Sequence, residues 1–454
     1  MNAASIPRRQ ALSIGGMGML GLTLPKLLGA NERLATRAAN AKSVIFLYQF
    51  GGPSHLETFD PKPEAPAGVR SHFGVIDTNV PGLRICDQLP KMARVMNEVT
   101  LVRTVHHTMK NHNSASYYAL TGHAPPLDDI RLRDTLDLFP AYGSVVDALA
   151  PVSTGMPTFV AFPHVIRDGE VTPGQHASFL GKTHDPLLVT SDPNEVGFSL
   201  PELSLPAGIT AERLQNRREI QQFVNRQSRL LDHSTAARGL DAYYEKSLSM
   251  LNSSKIRDAF NLQAEPQAVR DRYGRTTYGQ SCLLARRLVE AGVKFVNVYF
   301  ANNIGGRTTS GGWDTHGFDN TRMYPILKDY QLPITEQTLP TLILDLKERG
   351  LLDQTLIVWM GEFGRTPKIN DNISRDHWPQ CYTVLLAGGG AKRGFVYGTS
   401  DKQAAYPDRD PVLLDDLAAT VFALMGIDPA TELRDKLNRP LPVSAGKIVT
   451  GVMA

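Results

Sequence analysis

The sequence predicts an α/β protein built on a large, mostly parallel sheet with helices on both faces. Three observations carry this prediction. Short apolar runs without polar alternation recur along the chain, as strands buried on both faces require. Segments with apolar residues at helical spacing lie between them. The alternation continues over the whole length without an internal repeat or a linker, which argues for one layered sheet rather than separate all-α and all-β parts.

The elements follow in order. Ser43-Val-Ile-Phe-Leu-Tyr-Gln-Phe50 is the first strand, halted by Gly51-Gly-Pro53. A helix is expected over Asp87–Met96, then a strand over Val99–Val105. Ser114–Leu120 reads as a helix capped by Asn113 or Ser114, and Thr158–Phe162 as a short strand. Residues 211–291 are rich in Arg, Gln, Glu, Leu and Ala, which predicts two or three long helices; the helical insertion is placed at about 205–291. Val293–Tyr299, Thr355–Met360 and Tyr382–Ala387 are further strands. Leu339–Arg349 is a helix stopped by Gly350, and Leu413–Met425 a last amphipathic helix ended by Gly426.

Residues 1–30 stand apart, with 31–454 expected to form a single domain. Arg8-Arg9 precedes a short, glycine-rich apolar run to Leu24, a layout that suits twin-arginine export. The run is too short to span a bilayer, and no small-x-small cleavage site marks its end, so an uncleaved tether stays open. The implied location is periplasmic or secreted, with the twin-arginine translocation machinery as a partner. Arg8, Arg9 and Lys26 account for the entire net charge of +3, so the rest is balanced and no nucleic-acid partner is indicated. Cys86, Cys282 and Cys381 are widely spaced and odd in number, which supports neither a zinc ribbon nor a disulfide framework.

Chemistry concentrates on the loops after strands, where open α/β sheets bind ligands. In Gly311-Gly-Trp-Asp-Thr-His316, Asp314 and His316 are two residues apart, so both can face one cavity. That pair suits zinc, manganese or iron more than calcium; the alternative is a turn with Asp314 as a cap. Glu362 follows the 355–360 strand, and His377 lies in Arg375-Asp-His-Trp378. Together the four make a metal-ligand set of two imidazoles and two carboxylates, unless Glu362 simply pairs with Arg365. Asn111-His-Asn-Ser-Ala-Ser116 opens a helix and gathers unpaired amides at a positive dipole end, a seat for an anion. Ser114 or Ser116 becomes a nucleophile there only with a base or metal beside it. His55, Glu57 and Asp60 either add ligands or shape their turn, and at most one of His106 and His107 can face the site.

These stretches resemble the domain-of-unknown-function-1501 family, a branch of the alkaline-phosphatase and sulfatase superfamily. The resemblance rests on RRQALSIGG, QFGGPSHLETFDPKP, NHNSASYYALTGHAP, GQSCLLARRLVEAGVKFVNV, GGWDTHG, LDQTLIVWMGEFGRTPKI and RDHWPQCYTVLLAGGG. It implies metal-assisted transfer of phosphate or sulfate by a nucleophile at a helix N-terminus. His112 occupies the nucleophile's place, with Ser114 two residues on; Gly51-Gly52 replaces paired aspartates, and Glu362-Phe363 replaces an Asp-His pair. One metal site is implied rather than two, with zinc, manganese or calcium as the divalent ion. The resulting expectation is an exported sulfatase- or phosphatase-like hydrolase of an anionic ester or a sulfated or phosphorylated carbohydrate. In it Asp314, His316, Glu362 and His377 hold metal, Ser114 and His112 are catalytic, and Asn113, Ser116 and Arg365 bind the anion. The alternative is a non-catalytic binding or assembly protein of the cell envelope that keeps the fold and an anion pocket; a carbohydrate-processing partner in a secreted degradation system is a third reading.

Overall fold

A nine-stranded sheet forms the centre of the protein. The structure is a computed structural model and describes residues 40–152, 155–198, 253–304, 312–317 and 322–454. The export segment expected at 1–30 and the first part of the 205–291 insertion lie outside the described residues. Asn40–Ala454 is one compact unit.

The main strands are β1 (Ser43–Tyr48), β2 (Val99–His106), β3 (Phe159–Phe162), β4 (Leu187–Leu188), β5 (Phe295–Tyr299), β6 (Thr355–Met360), β7 (Tyr382–Ala387), β8 (Phe395–Tyr397) and β9 (Val412–Leu413). They run in the order β8-β2-β7-β6-β1-β5-β3-β4, with β9 also on β2. β1 pairs in parallel with β6 and β5. β7 is antiparallel to both β6 and β2, which makes the sheet mixed.

Both faces of the sheet are dry, which explains the unbroken apolar runs. Ile45 and Leu47 of β1 pack with Ile357, Trp359, Val296 and Val298 in one core, while Val44, Phe46 and Tyr48 pack with Val358, Met360 and Phe295 in the other. Helices α3 (Ser254–Phe260), α4 (Gln267–Tyr273), α5 (Thr277–Glu290) and α6 (Leu332–Glu348) cover the first face. Helices α1 (His112–Thr121), α2 (Tyr142–Leu149) and α7 (Leu414–Leu424) cover the second. The described part of the insertion is thus helical, in three segments of 7, 7 and 14 residues.

Three local expectations shift, the first at α6, which begins at Leu332 rather than at the expected Leu339. The helix expected over Asp87–Met96 is only Pro90–Ala93, followed by a 3-10 turn at Met96–Glu98; Pro90 sets the start, where a missing N–H costs nothing. α1 starts before the expected cap, at His112, with Asn111 as N-cap. Asn111 makes no side-chain cap bond; its backbone N and Nδ2 each donate to Asp128 Oδ1 at 3.0 Å. That tie fixes the helix start and therefore the position of His112.

Candidate metal centre

The parallel strands β1, β5 and β6 deliver their following loops to one edge of the sheet, and β2 leads to α1 at the same edge. After β1, the chain makes a left-handed turn at Gly51 (φ +106°). A Cβ there would stand 2.4 Å from Asp314 N, so only glycine lets the Asp314 loop approach this closely. Trp313 N donates to Phe50 O at 2.7 Å and Asp314 N to Ile304 O at 2.9 Å, which seats that loop. After β6, Glu362 is fully buried, and its Oε1 accepts from Gly51 N at 2.8 Å. A two-stranded ribbon, Gly364–Arg365 against His377–Trp378, then brings His377 opposite Arg365.

Three imidazoles meet at the Asp314 carboxylate. Its Oδ1 lies 2.9 Å from His316 Nε2, 3.0 Å from His377 Nε2 and 3.5 Å from His112 Nε2. The Nε2 atoms of His316 and His377 are 2.9 Å apart. His112, Asp314 and His377 offer ligand atoms within 4.8 Å of one another. The far nitrogen of each ring is held by an acceptor: His112 Nδ1 by Glu362 Oε1 at 2.7 Å, His316 Nδ1 by Asp376 Oδ1 at 2.8 Å, and His377 Nδ1 by Lys110 O at 2.8 Å. A carbonyl only accepts, so His377 Nδ1 carries the proton. The carboxylates set the same tautomer on the other two rings. All three Nε2 lone pairs then face inward.

Inward lone pairs beside a carboxylate repel unless a proton or a metal ion lies among them. His112 Nε2 is buried with no hydrogen-bond partner. Ligand atoms around a tetrahedral ion with bonds of about 2.0–2.1 Å lie about 3.3 Å apart, close to the spacings here. The residues present therefore fit a divalent ion, and a ring held through Nδ1 by a carboxylate or carbonyl is the usual arrangement of a metal-ligating histidine.

Charge at the centre is unevenly shared. Burial opposes the charge on Asp314, but the Arg365 guanidinium, followed by the three imidazoles gathered at its Oδ1, reverses this and holds its carboxyl far below the ordinary range. Burial also opposes charge on His112, yet the Asp314 and Glu362 carboxylates outweigh it and raise its pKa to about 9, so without a metal its Nε2 carries a proton in place of the inward lone pair. His377 is lowered to about 3, first by burial and then by His112 and Arg365, against the pull of Asp314. In the metal-free protein the proton thus belongs to His112, between two carboxylates.

Folding stability should follow. His112 contributes fully below its unfolded value near 6.5, and that contribution is lost as pH rises through about 9. His377 acts the other way, and stability falls as pH drops from 6.5 toward 3. With respect to this pair, metal-free protein is most stable near pH 6.5. Thermal unfolding in chelator across this range measures it; a Tm that climbs steadily from pH 6.5 to 9 would refute the assignment for His112.

The remaining expected site residues are placed as follows. Glu362 stands behind His112, with Oε1 on that ring and Oε2 buried without a partner. Ser114 Oγ donates to Asp129 O at 3.0 Å and Leu127 O at 3.2 Å, and accepts from Asp129 N at 2.7 Å. Ser116 Oγ accepts from Tyr48 OH at 2.7 Å. Asn113 donates to Ile130 O and accepts from Thr172 Oγ1 at 3.0 Å. Arg365 is fully buried; it donates to Gly51 O, to Gly52 O at 2.9 Å and to Asp314 Oδ1 at 2.6 Å. The side chains expected to take an anion are therefore engaged with the protein itself.

The neighbouring candidates shape the site from outside. Glu57 pairs with Arg375, and Asp60 with Lys62 and Arg103. His55 Nε2 faces Ala404 O at 2.9 Å. His107 Nδ1 accepts from Met109 N, so its Nε2 carries the proton and donates to Glu362 O at 2.7 Å; burial lowers its pKa to about 4. Phe363 packs on His377 and His112, with ring centroids 4.3 and 5.1 Å away.

The profile of a family described as "Protein of unknown function (DUF1501)" matches residues 41–453. The chain belongs to the DUF1501 family. Among curated proteins, none matches the sequence. Among solved structures it is similar to the lipoteichoic acid synthase LtaP from Listeria monocytogenes, at 11% identity and a TM-score of 0.39, over 86% of this chain and 73% of that one. It is also similar to the PsFucS1 sulfatase from Pseudoalteromonas sp., at 14% identity and 0.37, over 87% and 70%. A third is the C-terminal periplasmic domain of EcEptC from Escherichia coli in complex with Zn, at 12% identity and 0.37, over 91% and 95%.

Within this DUF1501 chain, sequence reasoning missed His112 as a ring facing Asp314, and missed Asp376 and the Lys110 carbonyl as the groups that orient the other rings. Asp376 directly precedes His377, a hint that was available. The Lys110 carbonyl left no signal, because any residue has one. If Glu362 orients His112, Glu362→Gln weakens zinc affinity about 10- to 100-fold without removing a ring nitrogen; isothermal titration reads this, and an unchanged affinity would remove Glu362 from the account.

Proposed function

We propose that this protein is an exported, metal-dependent hydrolase of sulfate or phosphate esters. One observation carries the reading: three histidine Nε2 atoms converge on the Asp314 carboxylate while an acceptor holds each Nδ1. His112, Asp314 and His377 would hold the ion, with His316 beside them. A divalent ion supplies a Lewis acid that polarises an ester oxygen.

The chain's own residues do the rest. Glu362, Asp376 and the Lys110 carbonyl fix ring orientation. Arg365 holds the Asp314 carboxylate in place and offsets part of its charge. The first turn of α1 points backbone N–H groups and a positive dipole end toward the same edge, which favours an anionic group. Because Ser114 spends its hydroxyl on the 127–129 loop, we favour direct attack by water over a serine nucleophile. Export rests on the Arg8-Arg9 segment. No helix of the described residues is long and apolar enough to cross a membrane.

A second reading has one specific support. Ser114, Ser116, Asn113 and Arg365 are all engaged with protein groups, as in a binding protein that keeps a metal centre without turnover. Metal analysis of the mature protein, joined to a screen of aryl sulfates, phosphate mono- and diesters and sulfated polysaccharides, separates the two. Bound metal with hydrolysis supports the enzyme; bound metal with no hydrolysis of any ester supports the binding protein. A chain that retains no zinc or manganese after dialysis against either ion sinks both metal-based readings.

A further inference from the structure

Asp168 closes a small hairpin, Arg167–Asp168 against Glu170–Val171. Each side of the hairpin is tied to an element of the metal centre. On one side Arg167 N donates to Asn302 O at 2.9 Å and Arg167 bridges Asn303, next to the Ile304 carbonyl that accepts from Asp314 N. On the other side Thr172 Oγ1 donates at 3.0 Å to Asn113, the residue after His112. The hairpin therefore lies across the gap between the His112 helix and the Asp314 loop.

Asp168 has no evident structural duty. Its Oδ2 is buried without a hydrogen-bond partner, whereas buried carboxyl oxygens that serve the fold are normally satisfied. The charged groups that act on it are His112, Asp314, Glu362 and Arg133, three of them from the centre. It does not belong to the cluster whose ligand atoms lie within 4.8 Å of one another, and it is not assigned to the ion. Burial raises its pKa; His112 and Arg133 act against this, Asp314 and Glu362 with it.

We propose that Asp168 is a catalytic carboxyl of this centre, giving its proton to the oxygen of the departing alcohol. This rests on the ester-hydrolase reading above. As the O–S or O–P bond breaks, the departing oxygen takes the Asp168 proton and leaves as a neutral alcohol. Water supplies the new hydroxyl on sulfur or phosphorus, and its second proton returns to Asp168. The exchange balances with one water consumed and needs no further reactant. It matters most for alkyl or sugar esters, whose alkoxides leave poorly, and little for aryl esters with acidic phenols.

Asp168→Asn tests the role. The expected result is a fall in kcat of about 100-fold or more on alkyl or sugar esters, a much smaller fall on nitrophenyl esters, and unchanged zinc affinity by titration. A second reading needs no turnover: infrared spectra of metal-free protein should show a protonated-carboxyl band titrating above the ordinary aspartate range, absent from Asp168→Asn. Equal losses on both ester classes, lost zinc binding, or a missing band overturns the role. Hydrolysis that Asp168→Asn leaves intact overturns the role alone, while a wild type that binds zinc but hydrolyses no ester overturns the hydrolase reading and this role with it.

Discussion

Changing Asp314 to asparagine and His377 to alanine in one chain should abolish stoichiometric zinc or manganese binding. The double change removes the His377 nitrogen and replaces the Asp314 carboxylate by a neutral amide, so two of the three ligands that lie within 4.8 Å of one another are lost or weakened. Metal binding of about 10–16 kcal/mol shared over four ligands puts the loss at a thousand-fold or more in affinity, at roughly 3 kcal/mol per ligand. Asparagine is chosen at 314 for a physical reason. Arg365 is fully buried and donates to Asp314 Oδ1 at 2.6 Å, so alanine there would strand a buried guanidinium and confuse misfolding with metal loss. The amide oxygen still accepts from Arg365. Far-UV circular dichroism should match the parent protein, and metal analysis should read close to zero. Unaltered metal content in this variant would place the ion elsewhere.

Glu57→Ala should be among the most destabilising single substitutions in the chain, at about 3–5 kcal/mol. Glu57 and Arg375 are both fully buried and pair in a fork: Arg375 Nε to Glu57 Oε2 at 2.9 Å and Nη2 to Oε1 at 2.8 Å. Tyr324 OH adds a third bond to Glu57 at 3.0 Å, and Ser54 a fourth. Arg375 in turn donates to the carbonyls of Thr366, Pro367 and Val69. The fork therefore anchors the segment that ends in Asp376 and His377. Alanine at 57 leaves Arg375 charged, dry and unpaired, so the denaturant midpoint should fall sharply and zinc affinity with it. Glu57→Leu combined with Arg375→Met should lose much less than Glu57→Ala, because no charge is left buried. A loss below about 1 kcal/mol for Glu57→Ala would show that water reaches the pair.

Both variants act on side chains whose roles were only partly readable in the sequence. The runs at 43–50, 99–105, 293–299, 355–360 and 382–387 were legible as strands because burial on both faces removes polar alternation. The edge at which ligands gather followed, since parallel strands present their following loops on one side. Asp314, His316 and His377 were legible as candidates because acid and imidazole cluster just after such strands. Pairing preferences were not legible. Glu57 was left open as a ligand or a turn residue, and only the position of Arg375, far along the chain, decides that it is neither a ligand nor free.

His112 shows the limit most clearly. Its neighbours Asn113, Ser114 and Ser116 read as the polar groups of a helix start, and the hydroxyls drew attention as nucleophiles. In the folded chain those side chains turn to the 127–130 loop, to Tyr48 and to Thr172. The ring of His112 turns instead to Glu362 and Asp314. Which way a helix-start residue faces depends on where Asn111 is pinned, and Asp128 sets that from outside the helix.

The sequence by itself determined the layered sheet, the edge that carries the chemistry and most of the residue types gathered there, because burial and element type are written in local periodicity. Only the tertiary structure decided that Glu362 backs a histidine, that Arg365 is enclosed by backbone carbonyls and Asp314, and that three Nε2 atoms share one carboxylate. Most of those outcomes depend on distances between residues tens to hundreds of positions apart, and hydrogen-bond geometry at that range leaves no period in the chain.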